Sequence, residues 1–310
     1  MAAIAGRLRV WTLVALTSPA LLACPSSPFP EAKADLSLRS AGTVAEKAPG
    51  PPKLRFSVAA MLSPQDTFQS YSALFGHLGT RLGVEIEFVQ RRTYREVNDL
   101  LGTGQVDAAI VCTGGFVELE RRFPGRIELL AVPVVGGSST YRSYLIAPAA
   151  SPARSLADLA GKRFAFTDEL SLSGRAYAIY WLRQRKLDPM TFFGSVQLTQ
   201  SHDRSIEAVA KGVVDGAVVD SLIYDAMVAR RPELAEAVRI VDASPPFGAA
   251  PVVASTAVPA GRRVAIRDAL LSLERDPDGA AALASIGIQR FAPPTPALYD
   301  GARAVMEAIW

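Results

Sequence analysis

The sequence predicts an α/β fold, and two observations support this prediction. From Lys53 onward, strand-like and helix-like segments alternate along the chain, which is typical of α/β proteins. Some strand-like segments, such as 106–112 and 127–135, are continuous apolar runs. Runs of that kind suit strands that are buried on both faces of a sheet.

An internal similarity favours two lobes. Residues 94–113 and 204–221 both read as a helix, a glycine, a Val-Asp pair and a small apolar strand. The match places Cys112-Thr113 in one half opposite Asp220-Ser221 in the other. The two segments are either generic βα units or parts of two similar lobes that meet at a cleft. In open α/β sheets, ligands bind beyond the carboxyl ends of the strands.

The elements follow from periodicity and end signals. Thr93 and Glu96 form a capping box that starts one helix, and Ser155 with Asp158 marks another. The predicted strands lie at 54–61, 84–90, 106–112, 127–135, 141–147, 163–168, 196–200, 216–221, 239–244 and 251–255. The predicted helices lie at 67–83, 93–104, 155–160, 174–187, 204–211, 221–230, 260–275, 278–286 and 295–309.

The N-terminus reads as an export signal, residues 1–24. Two arginines precede an apolar stretch, 10–23, that is too short to span a bilayer as a stable helix. The stretch ends in "LLAC", which resembles a bacterial lipobox with Cys24 as the lipidated residue. Ordinary signal cleavage near Ala23 is the alternative.

A flexible tether is predicted over residues 25–52, which are rich in Pro, Ser, Ala and Lys and have no apolar period. A lipid on Cys24 would hold a periplasmic domain near a membrane surface. Cys112 would then be the one thiol of the folded domain, so no structural disulfide is expected.

Composition excludes several function classes. The formal net charge of +3 over 310 residues and the lack of Lys/Arg-rich blocks argue against a nucleic-acid partner. Two cysteines and two histidines make no standard zinc pattern, so neither a metal nor a cofactor is expected. A G-x-S-x-G motif is absent and neither histidine has an obvious nucleophile, so an enzyme is not expected.

The loop "DELSLSG", residues 168–174, is the first candidate site. It joins a strand to a helix that opens with Arg175 rather than with an acidic residue. Free first-turn amides, the hydroxyls of Ser171 and Ser173, and Gly174 together suit an oxyanion. The alternative is that Ser173 is only a helix N-cap.

Two further loops are candidates. In "TQSHDRS", Ser201 and His202 stand where a strand gives way to a helix, which favours a ligand contact for this histidine. In "VCTGG", Thr113 and Gly114 offer a hydroxyl and a free amide. Cys112 is either a small buried residue or a thiolate donor that faces the cleft.

Taken in order and spacing, these segments resemble a bacterial solute-binding protein of the phosphate/phosphite/phosphonate type. This is the phosphonate-binding branch of the type-2 periplasmic binding proteins. The resemblance covers 54 to about 300 and rests on "SPQDTFQSY", "QRRTYREVNDLLGTGQVDAAIVCTGG", "YRSYLIA", "SLADLAGKRFAFTDELSLSG" and "SHDRSIEAVAKGVVDGAVVDSLIYD".

The resemblance implies two lobes, each a mixed, mostly parallel sheet flanked by helices, closing on an oxyanion. The first lobe is expected to comprise 53–138 plus 246–310 and the second 139–245. The family's Ser-Thr-Ser-Gly loop reads Ser171-Leu172-Ser173-Gly174 here, so one hydroxyl is replaced by an apolar side chain. The remaining ligand-binding residues implied or proposed are Tyr94, Cys112, Thr113, Gly114, Tyr141, Ser201, His202 and Asp220, the last facing a ligand amine.

Two functions remain open from the sequence. One is delivery of a phosphate-like anion to an ABC permease. The other is sensing, in which the closed form docks on a histidine kinase. Some sensors of arsenic oxyanions have a cysteine at the position of Cys112. A monomer is expected in either case.

Overall fold

The computed structural model describes residues 52–310. The predicted signal peptide, Cys24 and all of the tether except residue 52 lie outside the described residues. Between residues 52 and 310, no helix is both long enough and apolar enough to cross a membrane.

Thirteen strands and ten α-helices make up the described chain. The strands are β1 (Lys53–Val58), β2 (Glu85–Val89), β3 (Ala108–Ile110), β4 (Ile127–Val134), β5 (Thr140–Tyr141), β6 (Ser143–Pro148), β7 (Arg163–Phe166), β8 (Ser195–Leu198), β9 (Gly216–Asp220), β10 (Val238–Ala243), β11 (Phe247–Gly248), β12 (Val252–Ser255) and β13 (Arg290–Ala292). The helices are α1 (Pro64–Leu82), α2 (Tyr94–Gly102), α3 (Thr113–Arg122), α4 (Tyr177–Gln184), α5 (His202–Ala210), α6 (Ser221–Arg230), α7 (Glu233–Ala237), α8 (Ala260–Leu270), α9 (Pro277–Ser285) and α10 (Asp300–Ile309).

The strands form two main sheets. A six-stranded sheet has the order β13-β4-β12-β3-β1-β2, and a five-stranded sheet has the order β10-β6-β9-β7-β8. We call the part built on the six-stranded sheet the first lobe and the part built on the five-stranded sheet the second lobe. The α/β class and the two-lobed architecture agree with the prediction.

Each sheet is mixed, as predicted, but parallel pairs do not predominate in either. The parallel pairs are β1 with β2 and β3 in the first lobe, and β7 with β8 and β9 in the second. The other pairs run antiparallel, because β6, β10 and β12 enter their sheets after a crossing or a reversal of the chain. Apolar runs alone do not set strand direction.

The chain crosses twice between the sheets. The segment from β4 to β6 contains β5, and the segment from β10 to β12 contains β11. These two short strands pair antiparallel, with Tyr141 opposite Phe247. The crossing segments are therefore tied to each other where they connect the lobes.

Local signals explain several element starts. The Thr93–Glu96 capping box is formed, with each side chain accepting from the other residue's amide. The internal similarity also has a structural basis. Asp107 accepts from the amide of Arg55 at the start of the first lobe's sheet, and Asp215 accepts from the amide of Arg163 in the second lobe.

Some elements differ from the prediction. Helix α3 and the strands β5, β11 and β13 were not predicted, since the strands are short and α3 opens on two glycines. The helix expected at 174–187 begins earlier, with a π-helical turn at Leu172–Ala176, and α4 follows it. That earlier start changes the geometry of the candidate loop.

Candidate functional site

Asp168 organises the loop that follows β7. Its side chain is buried, and one carboxylate oxygen accepts from the amide of Leu170 at 2.8 Å. The other accepts from the amide of Tyr94, in the first lobe, at 3.2 Å. Burial raises the pKa of Asp168, and these two hydrogen bonds oppose the rise. Asp168 therefore joins the predicted loop to the start of α2.

The predicted oxyanion loop is a π-helical turn with its first amides free of intrahelical acceptors. The Ser171 hydroxyl accepts from the amide of Gly174 at 2.9 Å, so Ser171, and not Ser173, is the N-cap. A Cβ on residue 174 would stand 2.4 Å from Thr167 Oγ1, so glycine is required there. The amides of Leu172 and Ser173 stay available to an anion.

The Leu172 side chain does not face the cleft. It is fully buried in an apolar cluster with Val117, Phe247 and Val305. The leucine that stands in place of the hydroxyl-bearing residue therefore contributes packing, and only its backbone amide remains a candidate ligand contact. Arg175 also lies outside the turn's interior, because its guanidinium donates to the carbonyl oxygen of Glu169 at 3.2 Å.

The start of α3 lies directly against this turn. A Cβ on Gly114 would stand 2.1 Å from the carbonyl oxygen of Leu170 and 2.9 Å from the amide nitrogen of Leu172. The Thr113 hydroxyl donates to the carbonyl of Gly248 at 2.8 Å. Two segments at strand ends, one from each lobe, are thus in close contact.

Cys112 is a buried thiol at the N-cap of α3. Its sulfur accepts from the amide of Gly115 at 3.1 Å and donates to the carbonyl of Leu170 at 3.5 Å. Burial raises the pKa of this thiol well above its ordinary value. These contacts favour the packing interpretation of Cys112 over a thiolate that faces the cleft.

His202 and Asp220 are hydrogen-bonded to each other. The amide of Asp220 donates to Nδ1 of His202 at 3.1 Å, which makes Nδ1 the acceptor nitrogen and leaves the proton on Nε2. Burial lowers the pKa of His202 to about 3, so the ring is neutral at pH 7. Burial also raises the pKa of Asp220 to about 7, against hydrogen bonds from the amides of Leu222 and Ile223.

Three side-chain atoms at or beside the predicted site are buried without a hydrogen-bond partner among residues 52–310. They are Tyr94 Oη and Ser201 Oγ, both of predicted site residues, and Oδ1 of the neighbouring Asp203. Burial raises the pKa of Tyr94, and the nearby Cys112, Asp168 and Asp220 reinforce the rise. A buried hydroxyl without a hydrogen bond costs free energy. Such groups are therefore expected to meet a ligand or water.

Tyr141 lies on β5, between the two lobes. Burial and the nearby Asp220 raise its pKa, and the adjacent Thr113 and Ser173 side chains partly oppose the rise. Tyr71, on α1, was missed by sequence reasoning, because a tyrosine in an amphipathic helix gives no functional signal. Tyr71 lines the same cavity as Asp220, and burial together with the nearby Asp220 raises the pKa of Tyr71 to about 12.

Direct contacts hold the two lobes together beside the site. The amide of Ser63 donates to Asp203 Oδ2 at 3.1 Å, and the amide of His202 donates to the carbonyl of Met61 at 3.0 Å. Arg95 and Glu169 lie 3.9 Å apart at the rim. Sequence reasoning missed these residues, because they pair only after the lobes meet. No group of three or more metal-binding side chains is placed together anywhere in 52–310.

A family model matches residues 56–299, and its description is "ABC transporter, phosphonate, periplasmic substrate-binding protein". The match spans most of the chain and includes every candidate residue of the cleft.

Several solved structures share this fold. A binding protein component of an ABC phosphonate transporter from Pseudomonas aeruginosa matches with a TM-score of 0.76 and 21% identity, over 82% of this chain and 85% of that one. PhnD1 from Prochlorococcus marinus in complex with methylphosphonate matches with a TM-score of 0.74 and 17% identity, over 83% and 98%. XAC2383 from Xanthomonas citri, bound to chloride, matches with a TM-score of 0.69 and 20% identity, over 83% and 97%.

Proposed function

Since the chain belongs to the family of periplasmic substrate-binding proteins of ABC phosphonate transporters, we propose that its cleft captures a phosphonate-type oxyanion beside the π-helical turn and the start of α3. The family consists of solute-binding proteins and not of enzymes. Phosphate and phosphite present the same tetrahedral oxygens and are the competing ligands within this proposal.

The observation that carries the proposal is the pair of unpartnered buried hydroxyls, Tyr94 Oη and Ser201 Oγ. Tyr94 begins α2 in the first lobe, Ser201 precedes α5 in the second, and both are residues that the sequence predicted for the site. Phosphonate oxygens accept such hydrogen bonds, so a bound anion would satisfy both groups at once.

Neutral donors supply the rest of the proposed site. The free amides of Leu172 and Ser173 lie at a helix start, where the backbone favours negative charge. His202 is neutral and offers Nε2–H. An arrangement of neutral donors binds an oxyanion by hydrogen bonds, with a strict requirement on where its oxygens lie.

Closure is the step that we propose a permease reads. Gly114 meets Leu170, and Ser63 meets Asp203, across the two lobes, and we propose that these contacts form on closure. A ligand that contacts both lobes binds the closed form better and shifts the population toward it. We further propose export, with Cys24 as the lipid anchor and a monomeric receptor.

The sensing alternative keeps the same cleft but has less support as an arsenic sensor. Capture of arsenite needs an accessible thiolate, whereas Cys112 is buried, hydrogen-bonded and has a raised pKa. Co-purification distinguishes docking on a histidine kinase from docking on a permease: the partner that co-purifies with the closed, ligand-bound protein identifies which of the two it is.

Calorimetric titration of the exported domain tests the proposal. We expect methylphosphonate to bind, with phosphate and phosphite compared at the same pH and salt concentration. Absence of heat and of thermal stabilisation with all three anions would overturn the proposed function.

A further inference from the structure

A cavity of about 320 Å³ lies between the two lobes, beside the proposed anion site. The first lobe contributes the ends of β1 and β3, part of α1, and residues 286–291. The second lobe contributes one side of α6. Its apolar lining includes Val58, Ile110, Val135, Ile223, Met227 and Phe291.

The cavity borders the His202 side of the anion site through two residues, Asp220 and Met61. Asp220 lines the cavity, and its own amide donates to His202 Nδ1. Met61 also lines it, and its carbonyl oxygen accepts from the amide of His202 at 3.0 Å. Val58 and Ile110 are the last residues of two parallel strands, so the cavity lies where this class of sheet binds ligands.

The polar residues of the lining are Thr67, Ser70, Tyr71, Asp220, Asp225 and Arg230. Asp225 and Arg230 are exposed and mark the solvent rim. One oxygen of Asp220 already accepts from the amides of Leu222 and Ile223. The remaining residues of the lining, which are its majority, offer hydrocarbon contact.

The volume suits a medium-sized hydrocarbon group. A cavity of about 150 Å³ lined by apolar side chains holds a benzene molecule. The present cavity is about twice that size, which is room for a phenyl ring or a linear chain of roughly six to eight carbons. Methylphosphonate would leave it empty.

We propose that this cavity binds an apolar organic group on phosphorus, so that the ligand class is alkyl- and arylphosphonates with about six to eight carbons. The proposal rests on the proposed function, because the phosphonate head must occupy the anion site. In this proposal the carboxyl group of Asp220 lies between the phosphonate head and the hydrocarbon group, in the place where the resemblance implies contact with a ligand amine.

The test compares methylphosphonate, hexylphosphonate and phenylphosphonate by calorimetry on the unmodified protein. Each buried methylene adds to affinity, so we expect hexyl- and phenylphosphonate to bind at least tenfold tighter than methylphosphonate. Equal affinities for all three would overturn this inference while leaving the proposed function intact. Binding of none would overturn both.

A cavity-filling variant locates the effect. Ala226→Phe places a ring in the cavity from α6, and Ala229→Phe places the same ring on the exposed face of that helix. We expect Ala226→Phe to reduce the advantage of hexylphosphonate to less than threefold with methylphosphonate affinity unchanged, and Ala229→Phe to change neither. An equal advantage in both variants would contradict the proposed location.

Discussion

The amide of Asp220 donates to Nδ1 of His202 over 3.1 Å, and burial shifts the pKa values of the two side chains in opposite directions. The histidine pKa falls to about 3 and the aspartate pKa rises to about 7. Both groups are consequently neutral over the range between those values. A buried pair without charge suits a site that binds its ligand through hydrogen bonds.

This relationship predicts opposing contributions to stability. His202 is protonated below about pH 6.5 in the unfolded chain but only below about pH 3 in the folded protein. Between these values the unfolded chain binds one more proton, so this residue makes stability rise with pH. The folded protein keeps the Asp220 proton up to about pH 7, whereas the unfolded chain loses it near pH 3.8, so this residue makes stability fall with pH.

Single substitutions should separate the two slopes between about pH 4 and 6.5. Relative to the unmodified protein, the stability of Asp220→Asn should rise more steeply with pH. The stability of His202→Asn should fall with pH. The urea unfolding midpoint, measured at several pH values in that window, checks both. Parallel plots of the unfolding midpoint against pH for the unmodified protein and both variants would contradict the assigned pKa shifts.

Tyr94→Phe should separate affinity from stability. The Tyr94 hydroxyl is buried without a partner in 52–310, so its removal should leave the ligand-free protein unchanged or more stable by up to about 1 kcal/mol. Methylphosphonate affinity should fall about tenfold, which corresponds to the loss of one hydrogen bond to a charged ligand.

The matched control is Tyr224→Phe, because the Tyr224 hydroxyl donates to the carbonyl of Val238 at 3.1 Å. It should cost about 1 kcal/mol of stability and leave affinity unchanged. Thermal unfolding and calorimetry measure the two quantities. An affinity loss of the same size in both variants would place the anion elsewhere.

Gly114→Ala should prevent closure. Its Cβ would stand 2.1 Å from Leu170 O, a backbone atom of the opposite lobe, so the lobes must separate to accommodate it. We expect the dissociation constant for methylphosphonate to rise at least tenfold. The radius of gyration in solution should no longer decrease when ligand is added.

Gly261→Ala is the control for that substitution, since a Cβ there meets no atom within 4 Å. It should close and bind like the unmodified protein. Normal compaction of Gly114→Ala with ligand would mean that the bound form differs from the closed arrangement described here.

The double substitution Ser171→Ala and Ser173→Ala should weaken phosphonate binding severalfold or more. It removes two hydroxyls beside the free amides and leaves the Gly174 amide without its cap. Ser155→Ala serves as a comparison, because the Ser155 hydroxyl donates to Asp158 at 3.2 Å in a turn remote from the cleft. The double variant should lose about 1 kcal/mol of stability with the Ser171 cap and should also lose affinity, whereas Ser155→Ala should keep its affinity.

Cys112→Ser should show the same increase in thermal stability on addition of methylphosphonate as the unmodified protein, within experimental error. The native thiol should also react slowly with a thiol reagent, because it is buried and its pKa is raised. Stabilisation by arsenite that disappears in Cys112→Ser would restore the sensing hypothesis.

Local chemistry determined much of the fold from the sequence alone. Alternating periodicity identified the α/β class, and the Thr93–Glu96 capping box placed the start of α2 correctly. Those signals are local, because a cap or an apolar stripe depends on residues only a few positions apart. The same signals placed strand-to-helix connections near 168–174 and 199–205, although the helical turns begin earlier than predicted, at Leu172 and His202.

Tertiary structure decided strand direction and the chemistry of the site. The antiparallel pairs of β6 and β12 depend on where the chain returns, which no local pattern encodes. The buried orientation of Leu172, the neutral state of His202 and the position of Tyr71 arise from contacts between distant segments. Burial and charge state are properties of the packed lobes, so the residue types were predictable and their roles were not.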